Sequence, residues 1–271
     1  MEKAITIWVD ESTEIGINDR NHTLVGYLIT DSDKGEFEFL NALKQARKVA
    51  PECWVTLHGS EISETDSRQL ALMDRWLAAF HSTEKVYFHS FLYRRNDSFI
   101  PTSETYEHYF AKQSVFALAN KMKGSGYTLN TMFKDVSTLT VMFEGRRAHT
   151  VRSGRIGMRT TLDRLNNLEA VYKDQITRQI ARIAEKKPGT NQLTVRFSFL
   201  SAECFDAMQF ADCVTYLIRK KLEQEQTGVD NAFTKLFDKH FLNHLDQHTK
   251  DTGFRSIYSY SKKFNVFESS A

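Results

Sequence analysis

The sequence predicts an α/β fold: a mixed β-sheet with helices on both faces, plus helical insertions. Two patterns in the 271 residues point to it. Short β-branched and aromatic runs open the chain as a hairpin-like pair. Further runs of that kind then alternate with longer stretches whose apolar residues recur three and four apart. The composition, 41% hydrophobic and 26% charged, is that of an ordinary globular chain. Only 3 Pro and 12 Gly are present, which argues against long disordered linkers. The length suits one large domain or one domain with an added lobe. Residues 1–226 read as the domain, and residues 227–271 as an extension packed on it.

The first strand is Ala4–Asp10, ending at the adjacent acids Asp10 and Glu11. The second is Thr23–Thr30, after a stretch with Gly16, Asn18, Asp19 and Asn21 that has turn composition. Gly35–Ala50 has helical spacing through Phe39, Leu43 and Ala46, and Pro51 stops it. Cys53–Leu57 is a third strand. Ser67–Phe80 is a helix with Leu70, Met73, Leu77 and Phe80 on one face, and Lys85–Tyr93 is a strand. Glu104–Lys123 is a helix stopped by Gly124-Ser125-Gly126. Ser137–Phe143 is a strand followed by Glu144, and Gly145–Gly157 is an Arg- and Gly-rich loop. Thr160–Lys187 is a long amphipathic helix, Gln192–Leu200 a strand, and Glu203–Gln226 another long helix. In the remainder, Phe233, Leu236, Phe237 and Phe241 suggest a short helix. The aromatic tail Phe254–Phe267 is either an interface or a final strand.

Several function classes are disfavoured. The 3 cysteines, Cys53, Cys204 and Cys213, form no CxxC pair, against a disulfide framework or a structural zinc site. The N-terminus has no signal-peptide pattern, and no apolar run approaches the ~20 residues of a membrane helix. The chain reads as cytoplasmic. Its net charge of +2 hides an asymmetry. Gly145–Lys187 holds 11 Lys and Arg against 4 Asp and Glu, a net +7, which leaves −5 for the rest. Such a split suits a protein that gathers a polyanion on one surface and holds cations at another, although a basic run is also an ordinary solvated helix face.

Acids stand at the ends of strands or beside small turns: Asp10 and Glu11, Glu61 in LHGSEIS, and Glu144. Asp212 instead lies on a helix whose Ala207, Ala211, Val214, Ile218 and Leu222 form an apolar stripe. A carboxylate near a buried face needs a partner, be it Arg, a backbone N–H or a metal. Each acid alone also has a plain structural reading. A strand-end Asp serves as a turn residue, Glu61 as a helix-start acid, Glu144 as an ion-pair partner of Arg146 or Arg147, and Asp212 as a satisfied core acid. Taken together they suggest another chemistry. Mg²⁺ and Mn²⁺ take oxygen ligands, and three or four carboxylates hold two such ions about 4 Å apart for phosphodiester cleavage. Arg146, Arg147, Arg152 and Arg155 follow Glu144 directly and would put positive charge at the rim.

Three segments carry a family resemblance: VDEST (Val9–Thr13), LHGSEI (Leu57–Ile62) and MQFADCV (Met208–Val214). In order and spacing the chain resembles, from Ile5 to Glu223, the large bacterial and phage family numbered 3800 among domains of unknown function. Its members look like distant relatives of the RNase H-like nucleases. The resemblance implies an RNase H-like core over residues 1–226, in which Asp10 and Asp212 meet over the sheet and Glu61 joins them. The family usually shows Asp where this chain has Glu144, and Gly where it has Thr13. Glu11 belongs to the first motif but points away from Asp10 by strand alternation. His58 either bonds an attacking water or phosphate, or orients its loop. Gln209 reads as a brace for Asp212 or for a backbone group, and His89 as a core histidine.

The leading expectation is a divalent-metal-dependent nuclease acting on DNA or RNA by a two-metal mechanism, with Mg²⁺ or Mn²⁺ as cofactor. Asp10, Glu61, Glu144 and Asp212 would be ligands, with His58 at the reaction, Glu11 and Gln209 in support, and the arginines on the nucleic acid. By resemblance alone, a role in phage defence is implied. The rival is a non-catalytic nucleic-acid-binding or regulatory protein on the same scaffold. A homodimer or partner subunit is compatible with the long helix Thr160–Lys187.

Overall fold

A computed structural model of the chain describes residues 3–17, 20–49, 57–94, 136–144, 194–200, 205–241, 254–260 and 263–269. Seven strands form one mixed sheet: β1 (Lys3–Ile17), β2 (Arg20–Thr30), β3 (Val86–Arg94), β4 (Val136–Glu144), β5 (Thr194–Leu200), β6 (Phe254–Tyr260) and β7 (Phe264–Ser269). Their order across the sheet is β5-β4-β1-β2-β3-β7-β6. β1, β2 and β3 form an antiparallel meander. On its other side β1 pairs with β4 in parallel, and β4 with β5 in parallel. β7 joins β3 in parallel and carries the antiparallel β6, so the aromatic tail extends the same sheet.

The described helices are α1 (Asp33–Val49), α2 (Ser67–Ser82), α3 (Asp206–Thr227) and α4 (Ala232–Phe241). They pack together on one face of the sheet. A row of register partners, Trp8, Leu28, Phe88 and Phe264, crosses four strands on that face and enters the same buried core as the helices. Phe210 of α3 meets Phe39 of α1 edge-on at 5.2 Å and Phe80 of α2 at 5.7 Å. Phe241 of α4 stacks on Phe264 of β7 at 3.9 Å. Asp66 caps α2 by accepting from the N–H groups of Arg68 and Gln69. Gly228, at φ 71, ends α3 in the left-handed conformation that glycine adopts without a Cβ penalty. The second face is also apolar and buried, through Ile5, Ile7, Val9, Val25, Ile29, Leu139 and Val141. A sheet buried on both faces gives near-continuous apolar runs, as in AITIWV and TLVGYLIT.

The structure changes one expected boundary with consequences. β1 does not stop at Asp10 and Glu11; it continues to Ile17, and the acids lie inside the strand. Asp10 pairs with Gly26 and Glu11 with Val25. The polar stretch DESTE reads as a turn by composition, but Ile15 is fully buried and holds the strand in the hairpin. A register irregularity between Ser12 and Ile15 absorbs the change in pattern. Leu57, the end of the expected third strand, lies outside any strand, and the rest of that segment lies outside the described residues. So do the expected helices Glu104–Lys123 and Thr160–Lys187 and the Arg-rich loop. Among the described residues no helix is long and apolar enough to cross a membrane.

Candidate active site

The site forms where α3 lies along β1. At the start of α3, the Phe205 ring stands 6.0 Å from that of Trp8. Further on, Arg219 Nη1 donates to Ser12 Oγ at 3.3 Å. Trp8, Asp10 and Ser12 alternate onto the same face of β1, so α3 passes Asp10 between these two contacts. Its close approach depends on small residues. Asp10, Gly26 and Ser90 form one row of register partners across three strands. A Cβ on Gly26 would overlap Thr215 Oγ1 of α3 and come within 2.7 Å of Phe88. Thr215 turns its hydroxyl into the helix, donating to the Ala211 carbonyl at 2.8 Å.

Each of the two elements contributes a buried carboxylate to this seam. Asp10 is 5% exposed and Asp212 is 7% exposed. Both act on the buried thiol of Cys213. Burial pushes that thiol well above the usual cysteine range, and the charges of Asp212 and Asp10 push it further, while Arg47 draws it down. One strand acid and one helix acid therefore both bear on this thiol.

A short turn, Gly59–Glu61, closes the seam from the side. The Gly59 N–H donates to Asp212 Oδ2 at 2.8 Å. His58 Nδ1 lies 3.3 Å from the same oxygen and 3.1 Å from Ser60 Oγ. Nδ1 thus lies between the Asp212 carboxylate and the Ser60 hydroxyl. Glycine is required at position 59: a Cβ would stand 2.6 Å from Tyr216 Cβ and 2.9 Å from Asp212 Oδ1. The missing side chain lets the turn close directly onto α3.

One face of α3 anchors this turn. Gln209 Oε1 accepts from the Leu57 N–H at 2.9 Å and from Arg47 Nη2 at 2.8 Å. Arg47 Nε donates to Asp206 Oδ1 at 2.9 Å, and its guanidinium lies 4.9 Å from the centre of the Trp76 ring. Asp206, Gln209 and Asp212, three residues apart, thus hold α1, Leu57 and Gly59 in turn. Arg47 is absent from the sequence-derived set, because in QARKV it reads as a basic residue in the last turn of a helix. Gly26 is absent too, although a glycine inside a strand pattern signals a close backbone approach.

The other expected site residues are placed as follows. Glu61 sits in the turn with its side chain exposed. Glu144 ends β4, one step beyond Phe143, whose register partner is Val9. That backbone position stands beside Asp10. Glu11 pairs with Val25 on the alternate register. Arg146, Arg147, Arg152 and Arg155 lie outside the described residues. His89 lies away from the seam, beside Tyr27 on the second face; burial lowers its pKa to about 4. Among the described residues, no three His, Cys, Asp or Glu side chains converge as a group that would hold a metal ion. The structure places His58 3.3 Å from Asp212, with Gln209 one turn before Asp212 on α3 and Asp10 on the strand that α3 lies along.

No family model and no curated protein matches the chain. Among solved structures, it is similar to the ribonuclease H2 from Pyrococcus horikoshii OT3. That match has a TM-score of 0.42 and 8% identity, and covers 83% of this chain and 76% of that one.

Proposed function

We propose that the protein is a divalent-metal-dependent nuclease that hydrolyses phosphodiester bonds of DNA or RNA on an RNase H-like scaffold. What supports this reading is a buried carboxylate on each of two elements that pack together, Asp10 of β1 and Asp212 of α3, both near enough to bear on the Cys213 thiol. Burying two like charges together is costly without a cation or proton to offset them. Hard cations take carboxylate oxygens. A cation such as Mg²⁺ or Mn²⁺ would be held by Asp10 and Asp212, with Glu61 and Glu144 as the further acids that the sequence offers. A bound ion would supply Lewis acidity at the phosphate and lower the pKa of a bound water. The chain's own part is to orient. Gly59 fixes the Asp212 carboxylate, and the His58 ring stands beside that carboxylate, where it would bond an attacking water or a phosphate.

One observation favours the non-catalytic reading: Asp212 Oδ2 already accepts the Gly59 N–H and faces His58, which is what a purely structural clamp would do. Two measurements separate the readings. Calorimetry with Mn²⁺ should give a binding isotherm for the wild type that Asp10→Asn and Asp212→Asn lose. Cleavage of labelled single- and double-stranded DNA and RNA should fall at least a hundredfold in both variants, the scale on which removing one transition-state stabiliser acts. Variants that cleave as well as the wild type overturn the nuclease reading, and binding of nucleic acid without metal or turnover establishes the structural one.

A further inference from the structure

Past Asp212, the same side of α3 carries Tyr216, Arg219, Lys220 and Glu223. Arg219 is held at two points. Its Nε donates to Glu223 Oε1 at 2.7 Å and its Nη1 to Ser12 Oγ at 3.3 Å. The side chain is 31% exposed, and its Nη2 makes no hydrogen bond among the described residues. Lys220 Nζ donates to Glu223 Oε2 at 2.9 Å and lies 5.3 Å from the centre of the Tyr216 ring. Two cations therefore share one carboxylate, and one positive charge is left over. Ser12 follows Asp10 by two residues on the same face of β1, where the strand register breaks. Such breaks re-aim side chains beside functional sites. A guanidinium fixed at Nε and Nη1 presents its remaining N–H groups in a set direction, which suits a phosphate oxygen.

We propose that Arg219, tethered to Ser12 and supported by Lys220, is a phosphodiester-binding subsite beside the acid pair. It takes a backbone phosphate neighbouring the one that is cleaved; in naming a cleaved phosphate, the proposal rests on the nuclease reading. Asp10 and Ser12 are about 7 Å apart along the strand, so one nucleic-acid strand running along β1 would meet the acids and then Arg219. The contact is to backbone alone, so the subsite serves DNA and RNA alike and adds affinity without sequence preference.

The test is fluorescence anisotropy with short single-stranded DNA and RNA oligonucleotides of mixed sequence, in chelator so that nothing turns over, across a salt series. Arg219→Gln should weaken binding about tenfold at low salt and reduce the slope of log affinity against log salt by about 0.7, the share of one phosphate on a single strand. Arg219→Lys should keep the slope and lose less affinity. Ser12→Ala, which changes no charge, should keep the slope and lose severalfold in affinity. Thermal melts establish that each variant is folded; if Arg219→Gln does not fold, the Arg219→Lys and Ser12→Ala pair decides. An unchanged slope and affinity in Arg219→Gln overturns the subsite, as do unchanged affinities in the other two variants or a wild type that binds neither oligonucleotide. A wild type that binds with the Arg219-dependent slope yet cleaves nothing overturns the nuclease reading and leaves the phosphate site standing. An Arg219→Gln loss confined to one of the two nucleic acids overturns a contact to backbone alone.

Discussion

Replacing His89 with leucine should remove a large part of the acid sensitivity of this fold. His89 lies on β3, 3% exposed, paired in register with Tyr27 on the second face of the sheet. Burial disfavours its charged form and lowers its pKa from 6.5 to about 4. Between those values the unfolded chain binds a proton that the folded chain refuses. The stability associated with neutral His89 is therefore complete above pH 6.5 and is lost as pH falls toward 4. The whole difference corresponds to roughly 3 kcal/mol, of which roughly 2 kcal/mol falls between pH 7 and pH 5. Urea denaturation followed by tryptophan fluorescence at these two pH values measures it. The wild type should lose about 2 kcal/mol more than His89→Leu over that interval. Repacking around leucine adds an offset that is the same at both pH values and drops out of the comparison. The other histidines are common to both proteins and cancel to first order. Equal losses in the two proteins would refute the assignment of this acid sensitivity to His89.

Two further outcomes test the geometry of the seam. Gly59→Ala should cost about 1–3 kcal/mol in urea denaturation, because Tyr216 Cβ is tied to its backbone and cannot swing away; Mn²⁺ calorimetry on the same variant should show weakened binding as the new methyl group crowds Asp212 Oδ1. Arg47→Gln removes the fork shared by Asp206 and Gln209, whose partners here are mostly buried; a loss of about 2 kcal/mol and faster hydrogen exchange at the Leu57 amide are expected, and unchanged exchange would show that Gln209 holds Leu57 unaided.

Part of this architecture was legible from residue order alone. The apolar runs of β1 and β2, the helical spacing of α1, α2 and α3, and the aromatic positions of α4 all follow from burial, which imposes periods of two and about four on any chain. Asp212 stood out because an acid interrupted an apolar stripe. The length of β1 was not legible. DESTE has turn composition, and only the burial of Ile15 and pairing with β2 keep the strand going beyond it. Composition records local preference, whereas the extension is decided by a neighbour. Arg47 was hidden for the same reason. Its partners Asp206 and Gln209 lie about 160 residues away, and nothing local distinguishes it from the other basic residues that end α1.

The pairing of β1 with α3 gives the site its order. Two residues of strand advance about 7 Å, while seven residues of helix advance about 10 Å. Phe205 meets Trp8, Asp212 falls in the span that includes Asp10, and Arg219 reaches Ser12, so each step of two along the strand matches a step of seven along the helix. A helix keeping that correspondence crosses the strand obliquely and presents residues of one face to it at every second turn. Gly26 and Ser90 supply the shallow row that lets it lie close at Asp10. A side chain at Gly26 would lift α3 at that point, and the two acids would part before either motif had changed. The chemistry of the seam therefore depends as much on a glycine in β2 as on the carboxylates themselves.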